Sequence, residues 1–147
     1  MIKIIFVCHG SICRSPAAEM IFRQEIERKG LSDKFEVTSL ALSNEEIGND
    51  IYPPMKLALR ENGIPFIKHR ARRLTQSDLD SCDHLFYMDE SNRRILSYLV
   101  KDTSSKCKPV FEYSKNIYEI EDPWYSDNYQ LVLDELRQCI RDILVNL

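Results

Sequence analysis

The chain has few glycines and prolines and no long apolar run, so its composition is that of an ordinary globular protein. It contains 4 glycines and 6 prolines among 147 residues, and no repeat or low-complexity stretch, which excludes a repetitive or disordered protein. No apolar run approaches the length of a membrane span. The three histidines are scattered and the five cysteines form no CxxC pair, so we predict no metal site, no cofactor and no disulfide framework.

Positive charge is not in excess either. Lysine and arginine number 20 against 23 aspartates and glutamates, a formal net charge of −3, which argues against nucleic acid as the main partner. The length predicts one domain spanning residues 1–147 with a full core. The first residues, Met1 to Lys3, lead directly into a predicted strand, so we expect no signal peptide. Unpaired cysteines favour a reduced, cytoplasmic protein.

The beginning of the chain carries its strongest signal. Residues 2–7 are an apolar run rich in β-branched side chains, which predicts a buried strand that ends at Cys8. The pair Ser15-Pro16 predicts the start of a helix, with Ser15 as its N-cap. Strand, loop and helix would then place Cys8 and Arg14 at the two ends of one cradle of the size of an anion.

The residue types of this cradle suit nucleophilic attack on a phosphate ester. Backbone N–H groups leading into a helix N-terminus bind phosphate and stabilise a thiolate at Cys8. Arg14 supplies a planar fork for two phosphoryl oxygens. Gly10 permits a close backbone approach or a positive φ, and the Ser15 hydroxyl can donate to the Cys8 sulfur. We predict that phosphate is bound by the loop residues that follow Cys8: His9, Gly10, Ser11, Ile12, Cys13, Arg14 and Ser15.

Strand and helix patterns alternate along the rest of the chain. Periodicity predicts further strands at 35–40, 84–88 and 108–111, the last one at a sheet edge because it contains Pro109. Capping and breaker residues predict helices at 16–29, 53–61, 77–81 and 89–99, and from about residue 128 onwards. The last helix should bury one side, formed by Leu131, Leu136, Ile140, Ile143, Leu144 and Leu147. This alternation predicts an α/β domain, a four-stranded parallel sheet with helices on both faces and ligands at the carboxyl ends of the strands.

The segment from Cys8 to Pro16, C-H-G-S-I-C-R-S-P, resembles the phosphate loop of the low-molecular-weight protein tyrosine phosphatases. Segments 69–72, 88–92 and 121–125 fall in the order and near the positions that this family uses, so the resemblance covers nearly the whole chain. It implies a flavodoxin-like fold, the phosphotyrosine phosphatase I fold. It also implies hydrolysis of protein phosphotyrosine and small aryl phosphates through a phosphocysteine intermediate, with Cys8 as the nucleophile, Arg14 as a catalytic residue and no cofactor.

The resemblance places the general acid and base at Asp122. Its carboxyl group would protonate the departing phenoxide and later activate the water that clears the phosphocysteine. Asp122 precedes Pro123 in a loop flanked by Trp124 and Tyr125, whose apolar rings favour the protonated form of a carboxyl group. An aspartate before a proline is also a common turn residue, and the phosphate loop upstream favours the catalytic role.

Aromatic residues near Asp122 predict a pocket for a phenyl ring. A slot walled by Trp124 and Tyr125 would bury a phosphotyrosine ring and keep the shorter phosphoserine from the nucleophile. We expect His9 and Ile12 to line the slot as well. Glu45 stands where animal members of the family place an aromatic wall residue, and an acidic rim would disfavour acidic phosphopeptides.

Four further residues are candidates for supporting roles. The resemblance implies that His69 braces the phosphate loop, and Ser39 and Asp89 are candidates for the same hydrogen-bonded network. The presence of Ser39 and Asp89 is explained equally well if Ser39 is an ordinary serine at a strand end and Asp89 is a helix N-cap. Cys13 lies five residues from Cys8 and could trap an oxidised Cys8 as a disulfide.

One departure from the family concerns Ser11, which stands where asparagine is usual. Serine tolerates the left-handed backbone less well than asparagine, so we predict a less rigid cradle. For partners, we expect a protein that contains phosphotyrosine as the substrate and no association with a membrane. We also expect mainly a monomer, whose aromatic rim self-associates weakly.

Three alternatives to a tyrosine phosphatase stay open. An arsenate reductase of the same fold would need a partner cysteine in the region that Asp89 occupies. A protein-arginine phosphatase would carry threonine in place of Ile12. An inactive phosphotyrosine-binding module would need neither the nucleophile nor the acid, yet both Cys8 and Asp122 are present.

Overall fold

Four strands form one parallel sheet in a computed structural model that describes residues 1–101, 103 and 105–147. The strands are β1 (Ile2–Cys8), β2 (Phe35–Ala41), β3 (His84–Tyr87) and β4 (Cys107–Pro109). The helices are α1 (Arg14–Arg28), α2 (Pro53–Glu61), α3 (Gln76–Ser81), α4 (Glu90–Leu99), α5 (Pro123–Ser126) and α6 (Tyr129–Asn146), with a 3₁₀ turn at Ser32–Lys34. No helix in these ranges is long and apolar enough to cross a membrane.

The strand order β2-β1-β3-β4 positions the site. Strand β1 pairs in parallel with β2 on one side and β3 on the other, so the order of the chain reverses at β1. Ligand crevices form at such a switch point, outside the carboxyl ends of the strands. Cys8 is the last residue of β1, opposite Ala41 in the register, and therefore lies at this crevice.

The sheet is covered on both faces, as the alternating pattern predicted. Side chains of Ile4 and Phe6 pack with α1, α2 and α6 in one core cluster, while those of Ile5 and Val7 pack with α3 and α4 in a second cluster. A central strand buried on both faces explains why β1 is a continuous apolar run. Strand β4 is at an edge of the sheet, as its proline indicated.

The start of α1 differs from the prediction. The helix begins at Arg14 with Cys13 at the N-cap, so Ser15 is the second residue of the helix and not its cap. The reason is that the Ser15 hydroxyl is bonded to the side chains of the loop, not to a helix N–H group. Pro16 is tolerated because the first turn has no partner for its missing N–H group.

The buried side of α6 also differs in part. Leu131 and Leu147 are 37% and 38% exposed, whereas Leu136, Ile140 and Ile143 are buried as predicted. The positions that fill the core in their place are Val132, Leu133 and Cys139. The short helix α5 was not predicted; the Asp122 side chain caps it and Pro123 occupies its first position.

Candidate active site

The loop between β1 and α1 is built around one left-handed residue. Ser11 has a φ of 55°, and its side chain is completely buried. The expectation that this position is left-handed is correct. Gly10 has no positive φ; a Cβ there would lie 3.1 Å from Cγ of Glu46, so a larger residue would require the Glu46 side chain to shift.

Cys8 and Ser15 face each other across the loop. The Ser15 backbone N–H donates to Sγ of Cys8 at 3.4 Å, and Oγ of Ser15 lies 3.3 Å from the same sulfur. The Ser15 hydroxyl in turn donates to Oγ of Ser11 at 2.9 Å. The helix-start N–H is therefore directed at the sulfur, whereas the hydroxyl hydrogen of Ser15 points to Ser11 and only its oxygen faces the sulfur.

The Arg14 side chain is fixed by hydrogen bonds to Asp89 and to the main chain of Ile120. Its Nη1 donates to Oδ2 of Asp89 at 2.7 Å and to the carbonyl oxygen of Ile120 at 2.8 Å, and the residue is 3% exposed. Burial acts to lower the pKa of Arg14, but the negative charge of Cys8 and the carboxyl groups of Asp89 and Asp122 outweigh it and raise the pKa. The guanidinium is thus a permanent cation whose second nitrogen is directed toward the pocket.

Asp122 lines the same pocket and lies next to Arg14. Its Oδ1 accepts a hydrogen bond from the backbone N–H of Trp124 at 3.0 Å, and its Oδ2 is 3.8 Å from Nη2 of Arg14. The side chain is 31% exposed, so one carboxyl oxygen is anchored and the other is accessible to ligand and water. The residue is both a helix cap and a group that can exchange protons at the pocket.

His69 supports the loop from behind. Its Nε2 donates to the carbonyl oxygen of Ser11 at 2.5 Å, which holds the left-handed residue in place. The His69 backbone N–H donates to Oδ1 of Asp50 at 3.0 Å, and Lys56 donates to the other oxygen at 2.8 Å. Asp50 was not predicted, because nothing in its local sequence indicates a partner 19 residues away.

The structure separates the other two supporting candidates. Asp89 contacts Arg14, whereas the Ser39 hydroxyl donates to Oε1 of Glu19 at 2.8 Å and makes no hydrogen bond to the loop among the described residues. The Glu19 carboxylate is buried and also accepts from Arg23. Ser39 therefore belongs to a separate polar cluster beneath α1, and the prediction of one shared network is wrong.

The cradle opens into a pocket of about 270 Å³. The Trp124 side chain is 54% exposed, and its ring centroid lies 5.1 Å from that of Tyr52, so the indole forms part of the wall. Across the mouth, Nε2 of His9 and Oε2 of Glu45 are 3.0 Å apart. The lining contains ten residues predicted for the site, which are Cys8, His9, Gly10, Ile12, Cys13, Arg14, Glu45, Asp122, Trp124 and Tyr125, together with Glu46.

Glu46 and Tyr52 were not predicted for this region. Glu46 adjoins Glu45, and its packing against Gly10 is a contact that appears only in the folded chain. Tyr52 is the N-cap residue of α2, and its backbone N–H donates to the carbonyl oxygen of Ile12 at 2.8 Å. In the ranges that the structure covers, no group of three histidines, cysteines or carboxylates is placed to hold a metal ion.

A cysteine at the carboxyl end of a parallel strand, facing a helix N-terminus and a buried arginine, defines the class of thiol-dependent phosphate-ester enzymes with an α/β fold. The model of one family, described as low molecular weight phosphotyrosine protein phosphatase, matches residues 3–147. The chain belongs to this family, whose members are protein-tyrosine phosphatases.

Individual relatives agree with this assignment. The low molecular weight protein-tyrosine-phosphatase YfkJ of Bacillus subtilis is 33% identical and aligns with 100% of this chain and 96% of its own length. The low molecular weight phosphotyrosine protein phosphatase of Homo sapiens is 35% identical over 97% of this chain and 93% of its own. The crystal structure of YfkJ superposes with a TM-score of 0.93, covering 99% of this chain and 94% of that one.

Proposed function

We propose that this enzyme hydrolyses phosphotyrosine in proteins, and small aryl phosphates, in two steps through a phosphocysteine intermediate. The observation that carries the proposal is the arrangement of Cys8, Arg14 and Asp122 around one pocket. The sulfur lies within 3.4 Å of the Ser15 N–H, and the Asp122 carboxyl lies 3.8 Å from the arginine fork. A phosphoryl group bound by Arg14 would have the nucleophile on one side and the acid on the other.

In the first step, the Cys8 thiolate attacks phosphorus and the bond from phosphorus to the tyrosine oxygen breaks. The leaving oxygen takes the proton of Asp122, which avoids release of a free phenoxide. The loop N–H groups and Arg14 stabilise the charge on the three non-bridging oxygens. The anchored Oδ1 of Asp122 fixes the direction in which its other oxygen delivers the proton.

In the second step, the Asp122 carboxylate takes a proton from water, and the water oxygen attacks phosphorus. The bond between sulfur and phosphorus breaks, and the Cys8 thiolate is regenerated with release of phosphate. The Ser15 N–H, 3.4 Å from the sulfur, stabilises the leaving thiolate, and the Ser15 hydroxyl can add a second hydrogen bond by turning its hydrogen from Ser11 to the sulfur. The proposal therefore includes Ser15 among the residues that act on the reacting atoms.

The depth and walls of the pocket support an aryl substrate. Cys8 is buried at the base, and the Trp124 and Tyr125 rings stand at the mouth with 54% and 86% exposure. A phenyl ring is long enough to pass the aromatic walls and gains contact area from them. The short side chain of phosphoserine would leave its phosphate out of reach of the sulfur.

The free cysteines and the exposed aromatic rings support proposals about the compartment and the self-association of the enzyme. All five cysteines are free, and a nucleophilic thiol needs a reducing compartment, so we place the enzyme in the cytoplasm. The exposed Trp124 and Tyr125 rings favour weak self-association of a protein that acts mainly as a monomer.

The proposal is tested by the hydrolysis of an aryl phosphate and of phosphotyrosine, phosphoserine and phosphoarginine peptides. We expect turnover of the aryl phosphate and phosphotyrosine only. Cys8→Ser should abolish it, and Asp122→Asn should slow it by about 10²–10⁴-fold. The matched controls Cys107→Ser and Asp33→Asn, which change residues outside the pocket lining, should behave as wild type.

Other results would favour the alternatives. Tight phosphopeptide binding without turnover would mean a binding module. Preferred turnover of phosphoarginine, or thiol-dependent reduction of arsenate, would mean one of the two other enzymes of this fold.

A further inference from the structure

A second trough of about 580 Å³ opens beside the candidate active site. It is continuous with the first pocket, because both are lined by His9, Arg14, Asp122 and Tyr125. A chain that places one side chain in the cradle would therefore lie along this trough on one side of the bound residue.

The trough carries negative charge that the proposed chemistry does not use. Glu119 and Glu121 line it, and Arg14, the single permanent cation in its described lining, is already bonded to Asp89. Burial, followed by the negative charge of Glu121, raises the pKa of Glu135 nearby, as expected where carboxyl groups crowd.

The rim of the first pocket is acidic as well. It carries Glu45 and Glu46, and Oε2 of Glu45 lies 3.0 Å from Nε2 of His9, which also lines the trough. A phosphate dianion that enters near these carboxylates is repelled within a Debye length of about 8–10 Å. A substrate that brings its own cations offsets this repulsion, whereas an acidic substrate increases it.

A buried amide in the trough provides an independent sign of a ligand. Asn92 is 1% exposed and lines the trough, and its Oδ1 accepts from the backbone N–H of Met88 at 3.0 Å. Within the described residues the amide nitrogen of Asn92 donates no hydrogen bond. Because no fully buried polar atom there lacks a partner, this nitrogen is open to solvent. A donor left available next to carboxylates suits the carbonyl oxygen of a peptide main chain.

We infer that this trough is the subsite for the peptide that flanks the phosphotyrosine, and that it selects a substrate with lysine or arginine near the modified tyrosine. The inference rests on the proposed phosphotyrosine hydrolysis. The amide of Asn92 binds a main-chain carbonyl oxygen, and Glu119 and Glu121 bind the cationic side chain. Since an extended residue spans about 3.4 Å, the cation lies within about three residues of the phosphotyrosine.

The test compares phosphotyrosine peptides of one sequence that carry a single lysine, alanine or glutamate at each of the three positions on either side. The readout is the ratio of kcat/KM for the lysine peptide to that for the glutamate peptide, with a small aryl phosphate as the reference for the chemical steps. We expect a ratio of about 5–20 at one or two positions, because each exposed ion pair contributes a few-fold and the repulsion adds to it.

Variants assign the preference to the trough. In the double variant Glu119→Gln/Glu121→Gln the ratio should fall to about 2 or less, and 0.5 M salt should reduce it in the wild type. Asn92→Ala should raise KM for the peptides more than KM for the aryl phosphate. Glu61→Gln, an exposed change on α2 away from both pockets, should leave the ratio unchanged.

Two kinds of failure are distinguishable. Equal kcat/KM for the lysine and glutamate peptides, or a ratio that survives the double variant, would overturn this inference and leave the proposed hydrolysis intact. Absence of turnover for both the aryl phosphate and every peptide would overturn the proposed function, and this inference with it.

Discussion

Arg14 and Asp89 are 75 positions apart in the chain, yet their side chains meet at 2.7 Å beneath the phosphate loop. Asp89 has two tasks, because its other carboxyl oxygen caps α4 by accepting from the Asn92 backbone N–H at 2.8 Å. One carboxylate therefore joins the cradle after β1 to the helix after β3. The direction of the arginine fork depends on this contact, since within the described residues the Arg14 side chain is otherwise bound only by the Ile120 carbonyl oxygen and, at a longer distance, by Asp122.

Asp89→Asn should separate these two tasks. Asparagine keeps the cap but removes the charge that balances a buried guanidinium, so we expect a loss of about 2 kcal/mol in the free energy of unfolding. Asp89→Ala should lose about 1 kcal/mol more, because the cap is removed too. Urea unfolding measures both, and inhibition by inorganic phosphate should weaken in each. An asparagine variant as stable as wild type would show that Asp89 acts only as a cap.

Ser11→Asn should make the loop more rigid. Asparagine accepts the left-handed φ of 55° more readily than serine, so we expect a gain of about 0.5–1 kcal/mol in the free energy of unfolding and a several-fold rise in kcat. Ser11→Gly is the control, because it relieves the backbone but removes the hydroxyl that Ser15 contacts. Thermal unfolding measures the stability, and steady-state kinetics measure kcat. Unchanged values in the asparagine variant would mean that serine at this position does not destabilise the loop.

Asp50 should make the support of His69 dependent on pH. Partial burial opposes ionisation, but hydrogen bonds from Lys56, Ile51 and His69 lower the pKa of Asp50 to about 2. A carboxyl group with a lowered pKa stabilises the fold above its unfolded pKa of about 3.9, and this contribution is lost as the pH falls toward 2.

We therefore expect Asp50→Asn to cost about 1 kcal/mol at neutral pH, a modest figure because the group is partly exposed. The difference from wild type should shrink between pH 4 and pH 2, as followed by urea unfolding at each pH. Asp33→Asn serves as the control on an exposed aspartate. A difference that stays constant over this range would show that the Asp50 charge does not stabilise the fold.

Cys13 should act as the thiol that resolves an oxidised Cys8. Burial, and then the charge of Cys8, raise the pKa of Cys13, so it stays a protonated thiol and does not compete as a nucleophile. Peroxide oxidises the Cys8 thiolate to a sulfenic acid, which condenses with the Cys13 thiol and releases water. Mass spectrometry after peroxide should find the Cys8–Cys13 link, and reductant should restore activity. Cys13→Ser should lose activity irreversibly; absence of the link in wild type would reject the idea.

Trp124→Ala should weaken the enzyme toward aryl substrates. The indole contributes a wall of the pocket and packs on Tyr52 at a centroid distance of 5.1 Å. Loss of one aromatic contact corresponds to about a tenfold fall in kcat/KM for phosphotyrosine, with a smaller fall for a non-aromatic phosphate ester. Tyr98→Ala, which changes a side chain 91% exposed and outside the pocket lining, is the control. Equal falls for both substrates would assign Trp124 a structural role only.

The parts of the site that were predictable are those encoded by local order along the chain. The apolar run before Cys8, the Cys8-to-Arg14 spacing and the helix after it each depend on neighbours within a few residues. The alternation of strand and helix patterns predicted the parallel sheet and its two covered faces. The start of α1 was predicted two residues late because the Ser15 hydroxyl bonds to the loop, a tertiary contact that local capping rules do not contain.

The sequence by itself determined the cradle, the position of Cys8 within it and the order of its supporting elements, because backbone preference and hydrophobic periodicity act over short separations. Only the tertiary structure decided which distant side chains complete it. Asp89 beneath Arg14, Asp50 behind His69 and Ser39 with Glu19 are partners 75, 19 and 20 residues apart. Such pairs form where the fold buries polar groups that must find a partner, and the sequence order of the partners does not reveal them.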